Sequence, residues 1–192
     1  MLKRLYDWTL SLAESPYALW ALALVAFAES SVFPIPPDIL MIPMIIAMPH
    51  RAFLIAGIAL VSSVLGGAFG YFIGWGLYET VGLPVLEFYG KTGKFEEFAT
   101  TYNDYGAWAV LIAGVTPFPY KVITILSGST GLNFAVFMVA SVIARGLRFF
   151  IVAGLLWKFG APIREFIENR LGLMFTLFVA LLLGGFYVLK FL

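Results

Sequence analysis

The sequence predicts an all-α integral membrane protein, with two re-entrant helical hairpins that form an inverted repeat, about three spanning helices and interfacial amphipathic helices. Three observations predict this fold: the composition, the prolines inside apolar segments, and the recurrence of one proline motif. Of the 192 residues, 61% are hydrophobic and 12% are charged. Soluble domains average about 45–50% apolar and about 25% charged residues, so the composition excludes an ordinary soluble domain.

The N-terminal segment, residues 1–14, is predicted to be a short helix lying in the membrane interface. Asp7 and Glu14 interrupt the unbroken apolar run that a signal peptide would need. The apolar side chains of the segment are expected to face lipid. They are Leu2, Leu5, Trp8 and Leu12.

Residues 15–78 are predicted to form the first repeat, a hairpin followed by a spanning helix. The apolar stretch 16–49 is too long for one crossing, and prolines divide it into two pieces, of which the second is too short to cross. Non-helical backbone at membrane depth is tolerated only inside protein or beside a wet cavity. We therefore expect a re-entrant hairpin, followed by an uncharged spanning helix over 52–78. The prolines are Pro34, Pro36, Pro37 and Pro43.

A linker separates the first repeat from the second. Residues 79–104 carry five acids and two lysines, with aromatic residues at helical spacing. This pattern predicts an amphipathic helix on the outer surface.

The second repeat, residues 105–157, is predicted to follow the plan of the first. Its hairpin breaks at Pro117 and Pro119, and the helix over 129–157 is long enough to span. Residues 158–192 are expected to form a cytoplasmic loop and a last spanning helix over the uncharged segment 171–189.

One motif appears in both hairpins. A shift of 83 positions places "VFPIPPDILMI" on "VTPFPYKVITI", so that Pro34 and Pro36 align with Pro117 and Pro119. The shift also places Asp38 on Lys121. If the N-terminus is cytoplasmic, the first copy enters from inside and the second from outside, which makes the halves an inverted repeat. In transporters with inverted repeats, broken helices from each half meet at a midplane binding site.

The placement of basic residues agrees with a cytoplasmic N-terminus. Lys and Arg concentrate on the cytoplasmic side of membrane proteins. Under the hairpin topology Lys3, Arg4, Arg51, Lys158, Arg164 and Arg170 lie inside, whereas Lys91, Lys94 and Lys190 lie outside.

Five charged residues fall in apolar surroundings: Glu29, Asp38, Lys121, Arg145 and Arg148. Each costs about 2.5–3.5 kcal/mol at the centre of a membrane helix, so they must pair or face water. In a structural interpretation, Asp38 pairs with Lys121 and Glu29 pairs with an arginine, which holds the halves together. In a functional interpretation, Lys121, Arg145 and Arg148 bind an anionic headgroup, helped by the helix ends at the breaks, while the two acids exchange protons or act as counter-ions.

A stripe of small residues, Ser62, Gly66, Gly70 and Gly74, recurs every four residues along the first predicted spanning helix. Such a stripe lets a second helix approach closely, and we interpret it as packing.

Enzymatic function is not expected. The chain has no cysteine and a single histidine, which excludes disulfides, thiolate chemistry and the usual zinc sites. The residues assemble neither a nucleophile with its base nor a metal set, so we expect no metal and no cofactor. The expected partners are membrane lipids, including an anionic lipid substrate, without nucleic acid; a homodimer is left open.

The quoted motifs resemble the bacterial DedA family, whose core is also called the VTT or SNARE-associated domain. The resemblance covers roughly residues 15–160 and rests on "FAESSVFPIPPDILMIPM", "GGAFGYFIG", "GVTPFPYKVITILSG" and "ARGLRFF". It implies two facing re-entrant hairpins in the inner membrane and the movement of lipid phosphates, notably undecaprenyl phosphate, or of other phospholipids. By position, Glu29 and Asp38 match the family's acids on either side of the first break.

The second hairpin departs from the family's commoner pattern. The family has an arginine shortly before the proline and another shortly after it, whereas this chain has Gly114 before it and only Lys121 after it. Arg145 and Arg148 can compensate from the next helix. The departure leaves the substrate open, because lysine lacks the bidentate fork that suits phosphate.

Together these features predict a multi-pass transporter in the bacterial inner (cytoplasmic) membrane, with its N-terminus in the cytoplasm. It is expected to act as a flippase or scramblase for a lipid with an anionic headgroup and to be coupled to protons through Glu29 and Asp38. Two alternatives stay open: a proton or small-ion antiporter involved in pH or drug tolerance, and a non-transporting envelope scaffold.

Overall fold

A computed structural model describes the backbone of residues 17–189 apart from residues 34 and 117, and the side chains as far as residue 160 and at residue 162. All regular secondary structure in this part of the chain is helical, which confirms the predicted all-α class. The predicted interfacial helix over residues 1–14 and the prolines Pro34 and Pro117 lie outside the described residues.

The described chain contains seven α-helices. They are α1 (Ala18–Ser31), α2 (Asp38–Ala47), α3 (Ala52–Leu77), α4 (Leu83–Phe88), α5 (Thr92–Val115), α6 (Tyr120–Ser129) and α7 (Phe134–Leu189). A 3₁₀ turn, Pro49–Arg51, precedes α3, and a π-helical turn, Tyr78–Gly82, joins α3 to α4. Within the described residues, two stretches are long and apolar enough to cross a membrane, Pro49–Phe88 and Phe134–Gly160. The predicted span over 171–189 lies within α7, in the part whose side chains are not described.

The helices are interrupted where the repeated proline motif stands. After α1, the amides of Val32 and Phe33 both bond to the carbonyl of Ala28, and Pro36 lies between this closing turn and α2. After α5, the backbone at Thr116 is extended, and Pro119 directly precedes α6. Since proline has no amide hydrogen and restricts the residue before it, helical hydrogen bonding stops at both places.

The first hairpin opens toward the N-terminal end of α3. Residues from the start of α1, from α2 and from the start of α3 share one apolar cluster with the middle of α7. The start of α1 and the end of α2 therefore lie near the same end of α3. The buried members of the cluster are Ala18, Leu22, Met41, Met44, Ile45, Ile46, Ala52, Ile55, Ala56, Ala59, Phe149, Ala153 and Leu156.

The second hairpin opens toward the other end of α3. Val110 of α5 and Tyr120 of α6 pack with Tyr71, near the C-terminal end of α3, and with Phe137 of α7. Ile55 and Tyr71 are separated by about 24 Å along the helix axis, at 1.5 Å per residue. The two hairpins thus approach each other from opposite ends of α3, and α7 runs antiparallel to α3.

The glycine stripe on α3 contacts both hairpins. A Cβ at Gly66 would collide with the backbone of Phe27 in α1, and one at Gly74 with the backbone of Ile125 in α6. The interpretation of the glycines as packing positions is therefore confirmed. Because α3 carries no side chain at these points, it supports both hairpins by direct backbone contact.

Two predicted boundaries require correction. The loop expected from residue 158 is not formed, because α7 continues through Pro162 to Leu189. The residues after Pro162 are rich in Arg, Glu and Leu, which favour helix although they are charged. The linker 79–104 is not one helix either, since Gly90 has a left-handed backbone conformation, with φ of 61°, between α4 and α5.

Candidate functional site

A deep ion pair joins the first hairpin to α7. Arg145 Nη2 lies 2.7 Å from Glu29 Oε2. Arg145 Nε donates to Ser63 Oγ at 2.7 Å, Ser63 lies 2.6 Å from Ser30 Oγ, and Ser30 donates to Glu29 at 3.1 Å. These four side chains form a closed ring of hydrogen bonds. The side chains of Arg145 and Glu29 are only 1% and 10% exposed.

Aromatic side chains complete the surroundings of Arg145. Its guanidinium carbon lies 4.9 Å from the ring centre of Tyr120 and 4.6 Å from that of Phe149. The Tyr120 hydroxyl donates to Ser141 Oγ at 2.5 Å. A buried cation is tolerated only where a counter-charge and hydrogen bonds replace water, and both are present here.

A second, shallower ion pair links the two hairpin breaks. Arg148 Nη2 lies 2.7 Å from Asp38 Oδ2, at the start of α2, and Nη1 donates to the carbonyl of Thr116 at 2.7 Å. The side chains of Arg148 and Asp38 are each 18% exposed. One guanidinium therefore contacts the break after α1 and the break after α5.

Lys121, at the start of α6, also links the two breaks. Its Nζ donates to the carbonyl of Val32 at 3.2 Å. One turn further along α6, Thr124 Oγ1 donates to the carbonyl of Ser30 at 2.9 Å. In the described part of the chain no carboxylate lies within ion-pair distance of Lys121. With Glu29 and Asp38 matched by the two arginines, Lys121 supplies a surplus positive charge.

The predicted pairing of Asp38 with Lys121 is wrong, and the pairing of Glu29 with an arginine is confirmed. Asp38 bonds to Arg148 because α2 packs against α7, whereas the Lys121 amine reaches the carbonyl of Val32. Of the three cations assigned to a headgroup, Lys121 and Arg148 meet at the breaks. Arg145 is buried and forms an ion pair with Glu29. Pro36 and Pro119 lie in the breaks themselves.

Sequence reasoning missed the serines of the deep ring and the aromatic contacts of Arg145. Ser63 shares a helix face with Gly67, Gly70 and Gly74, at spacings of three and four residues. A polar residue on the most closely packed face of a spanning helix indicates a buried polar contact. Tyr120 gave no such signal, because its role depends on how α6 is rotated.

Comparison with known proteins identifies the family. A model of the VTT domain matches residues 35–158. An uncharacterized protein of Haemophilus influenzae is 34% identical over 169 residues, covering 85% of this chain and 87% of that protein. A second uncharacterized protein, from Histophilus somni, is 36% identical over 168 residues, with the same coverage of 85% and 87%. No solved structure matches the chain. The chain therefore belongs to the VTT-domain family of membrane proteins, as its resemblance to the DedA proteins implied.

Proposed function

We propose that this protein is an inner-membrane transporter, a flippase or scramblase, for a lipid with an anionic headgroup such as undecaprenyl phosphate or a phospholipid. The headgroup binds between the two hairpin breaks, at Arg148 and Lys121. The observation that carries the proposal is the position of Arg148, which contacts both breaks at 2.7 Å and remains partly exposed.

The lengths of the hairpin arms support re-entry into the membrane. With 14 and 10 residues, α1 and α2 are about 21 and 15 Å long, too short for a hydrocarbon core of about 30 Å. At the tip between them, Val32 and Phe33 are each 57% exposed and Ile35 is 40% exposed. Exposed apolar residues at a chain reversal favour lipid over water as their surroundings. With a cytoplasmic N-terminus, the first hairpin opens to the cytoplasm and the second to the outside.

Charge favours an anion at this place. Lys121 is a cation without a carboxylate partner in the described chain, and Arg148 shares its charge with one acid. The N-terminal ends of α2 and α6 lie at the breaks, where their free amides and helix dipoles also attract negative charge. An anionic headgroup between the hairpins satisfies these groups while its tails stay in lipid.

We further propose that the protein transports rather than catalyses, and that protons couple to transport through an acid at the breaks. Asp38 is the better placed of the two acids, because its side chain is partly exposed while Glu29 is enclosed in the deep ring. A carboxylate at this depth is costly unless it is paired or protonated, so its charge responds to the loss of its partner.

Reconstituted vesicles test the proposal. Arg148→Ala and Lys121→Ala are each expected to reduce exchange of a fluorescent anionic lipid between leaflets at least tenfold, because they remove the cations that bind its headgroup. Arg51→Ala and Lys91→Ala remove exposed cations away from the breaks and serve as matched controls, expected to keep the exchange rate. Wild-type rates in either site variant, with the protein folded, contradict the proposed site.

A non-transporting scaffold is the second candidate, because both acids are already paired with arginines. The double exchange Asp38→Arg with Arg148→Asp separates the two. A scaffold needs only the attraction between residues 38 and 148, so the double exchange should restore the stability and the function that each single change destroys. A transporter needs the cation on α7 and the acid on α2, so transport should stay lost although stability recovers.

A further inference from the structure

We infer that Asp38 is an internal competitor for the headgroup: its carboxylate binds the guanidinium of Arg148, and the anionic oxygens of the substrate replace it there. Under the same inference the Glu29–Arg145 pair stays closed throughout, as a positioning element. This inference rests on the proposed function and deepens it by assigning different tasks to the two ion pairs.

The two ion pairs differ in how easily a ligand can open them. The side chain of Arg145 is 1% exposed, and a ligand that took Glu29 from it would also disrupt the ring through Ser63 and Ser30. The Arg148–Asp38 pair has 18% exposure on both sides and no serine ring around it. Exchange of partners is therefore favoured at the shallow pair. Arg145 lies one helical turn before Arg148 on α7, so the deep pair fixes the rotation that presents Arg148 to the breaks.

The Asp38 carboxylate occupies the place where a headgroup would bind. Arg148 Nη2 donates to Asp38 Oδ2 at 2.7 Å, and phosphate oxygens are acceptors of the same kind for a guanidinium. The other end of the fork, Nη1, bonds to the carbonyl of Thr116, which holds the guanidinium at the second break while its partner changes. A guanidinium also has more N–H donors than these two bonds use, so an incoming anion can bind before Asp38 leaves.

Competition of this kind couples the anion to the charge of Asp38. The carboxylate of Asp38 neutralises Arg148, so that Lys121 alone supplies surplus charge. In Asp38→Asn, two cations face the headgroup. On α1 and on α7 up to Arg148, the other charged groups are Glu29 and Arg145, which neutralise each other, and α3 contributes none because residues 52–77 are uncharged. Removal of the charge at position 38 by substitution is therefore expected to strengthen the binding of an anion at Arg148.

The test uses the full chain in detergent micelles and dioctanoyl phosphatidylglycerol as the probe, with binding followed by calorimetry at pH 7. Asp38→Asn, which is isosteric and neutral, is expected to bind the probe about tenfold tighter than the wild type, because no carboxylate then competes for Arg148.

Control variants separate competition from a structural effect. Asp38→Glu keeps the competing charge and should bind the probe about as weakly as the wild type. Glu29→Gln also removes one acid, and it should lower stability without the tenfold gain in affinity. Inorganic phosphate at high concentration should displace the probe from wild type and Asp38→Asn alike, because both ligands present the same anionic oxygens.

The outcomes distinguish this inference from the proposed function. If the wild type binds the probe through Arg148, as shown by loss of binding in Arg148→Ala, but Asp38→Asn binds no tighter, the inference is overturned and the binding site stands. If folded wild type and folded Asp38→Asn both fail to bind the probe, or bind it equally well after Arg148→Ala, the anion site falls and the inference falls with it. Circular dichroism and gel filtration establish folding in each case.

Discussion

At the scale of single residues, the enclosed charge of Arg145 has the largest expected effect on stability. It sits between Glu29, Ser63 and two aromatic rings with almost no exposed surface. A buried ion pair contributes little compared with apolar residues of the same volume, but removing one partner leaves an uncompensated charge. Both partners are therefore needed for this arrangement of helices, although the pair itself adds little net stability.

Arg145→Met is expected to lower the free energy of unfolding by about 3–5 kcal/mol, because Glu29 is left buried without a partner. The double variant Arg145→Met with Glu29→Gln should recover a large part of this loss, since no uncompensated charge remains. Unfolding by sodium dodecyl sulfate in mixed micelles, followed by circular dichroism, measures both. Equal stability of wild type and the single variant would show that the pair is not enclosed as described.

The sequence identifies the deep charges but not their partners. Insertion cost alone indicates that Glu29, Asp38, Lys121, Arg145 and Arg148 must be compensated. Whether Asp38 meets a lysine or an arginine depends on how α7 and α6 are rotated about their axes, and one residue of helix turns a side chain by about 100°. Spacing within one helix does not contain that information, so the sequence does not predict that Asp38 pairs with Arg148.

At the scale of elements, α3 determines how close the two hairpins come. It packs against α1, α6 and α7, and its glycines allow backbone contact with both hairpins. The interval of four residues in the sequence was sufficient to predict the packing face. It could not show that one stripe serves two different partners, because that depends on the tertiary arrangement of α1 and α6.

Gly74→Ala is expected to destabilise the fold by about 1–3 kcal/mol, because the added methyl group would collide with the backbone of Ile125. Gly76→Ala is a matched control on the same helix, where an added Cβ meets nothing within 4 Å. That change should be neutral or stabilising by up to about 1 kcal/mol, since alanine favours helix. Thermal unfolding of the two variants gives the comparison. Similar values for both would contradict the close contact between α3 and α6.

The C-terminal end of the last long helix, α7, is a boundary that the sequence does not predict correctly. The segment from residue 158 is predicted to begin as a loop, yet α7 runs on to Leu189. Charge density predicts contact with water, and an exposed helix satisfies that condition as well as a loop does. Helix propensity, which is high for Arg, Glu and Leu, was the more informative property in this segment.

At the scale of the whole molecule, the repeat of 83 residues corresponds to the arrangement of the hairpins. The two apolar clusters lie at opposite ends of α3, one with the arms of the first hairpin and the other with those of the second. Arg148 and Lys121 join the two breaks between these clusters. The repeat predicted both hairpins, but the contact between their breaks is a property of the folded chain, because no spacing in the sequence relates Val32 to Lys121.

The hairpin arrangement gives a direct prediction about membrane sidedness. Tyr17 and His50 flank the first hairpin, and its arms share the cluster at the N-terminal end of α3, so we expect both positions on the cytoplasmic side. Lys94, at the other end of the molecule, should lie outside. The chain has no cysteine of its own, so single substitutions Tyr17→Cys, His50→Cys and Lys94→Cys can be labelled cleanly. A membrane-impermeant maleimide should label only Lys94→Cys in intact spheroplasts, and the other two only in inverted vesicles.

Val61→Cys is the control for this experiment. Its side chain is 59% exposed in the fold, yet it lies in the middle of α3 and should face lipid, so neither preparation should label it. Because α1 and α2 are each too short to cross, labelling of Tyr17→Cys and His50→Cys from opposite sides would require the two arms to cross the membrane together as one broken helix. That result would remove the re-entrant hairpin, and with it the inverted relation that brings Asp38, Arg148 and Lys121 to the same depth.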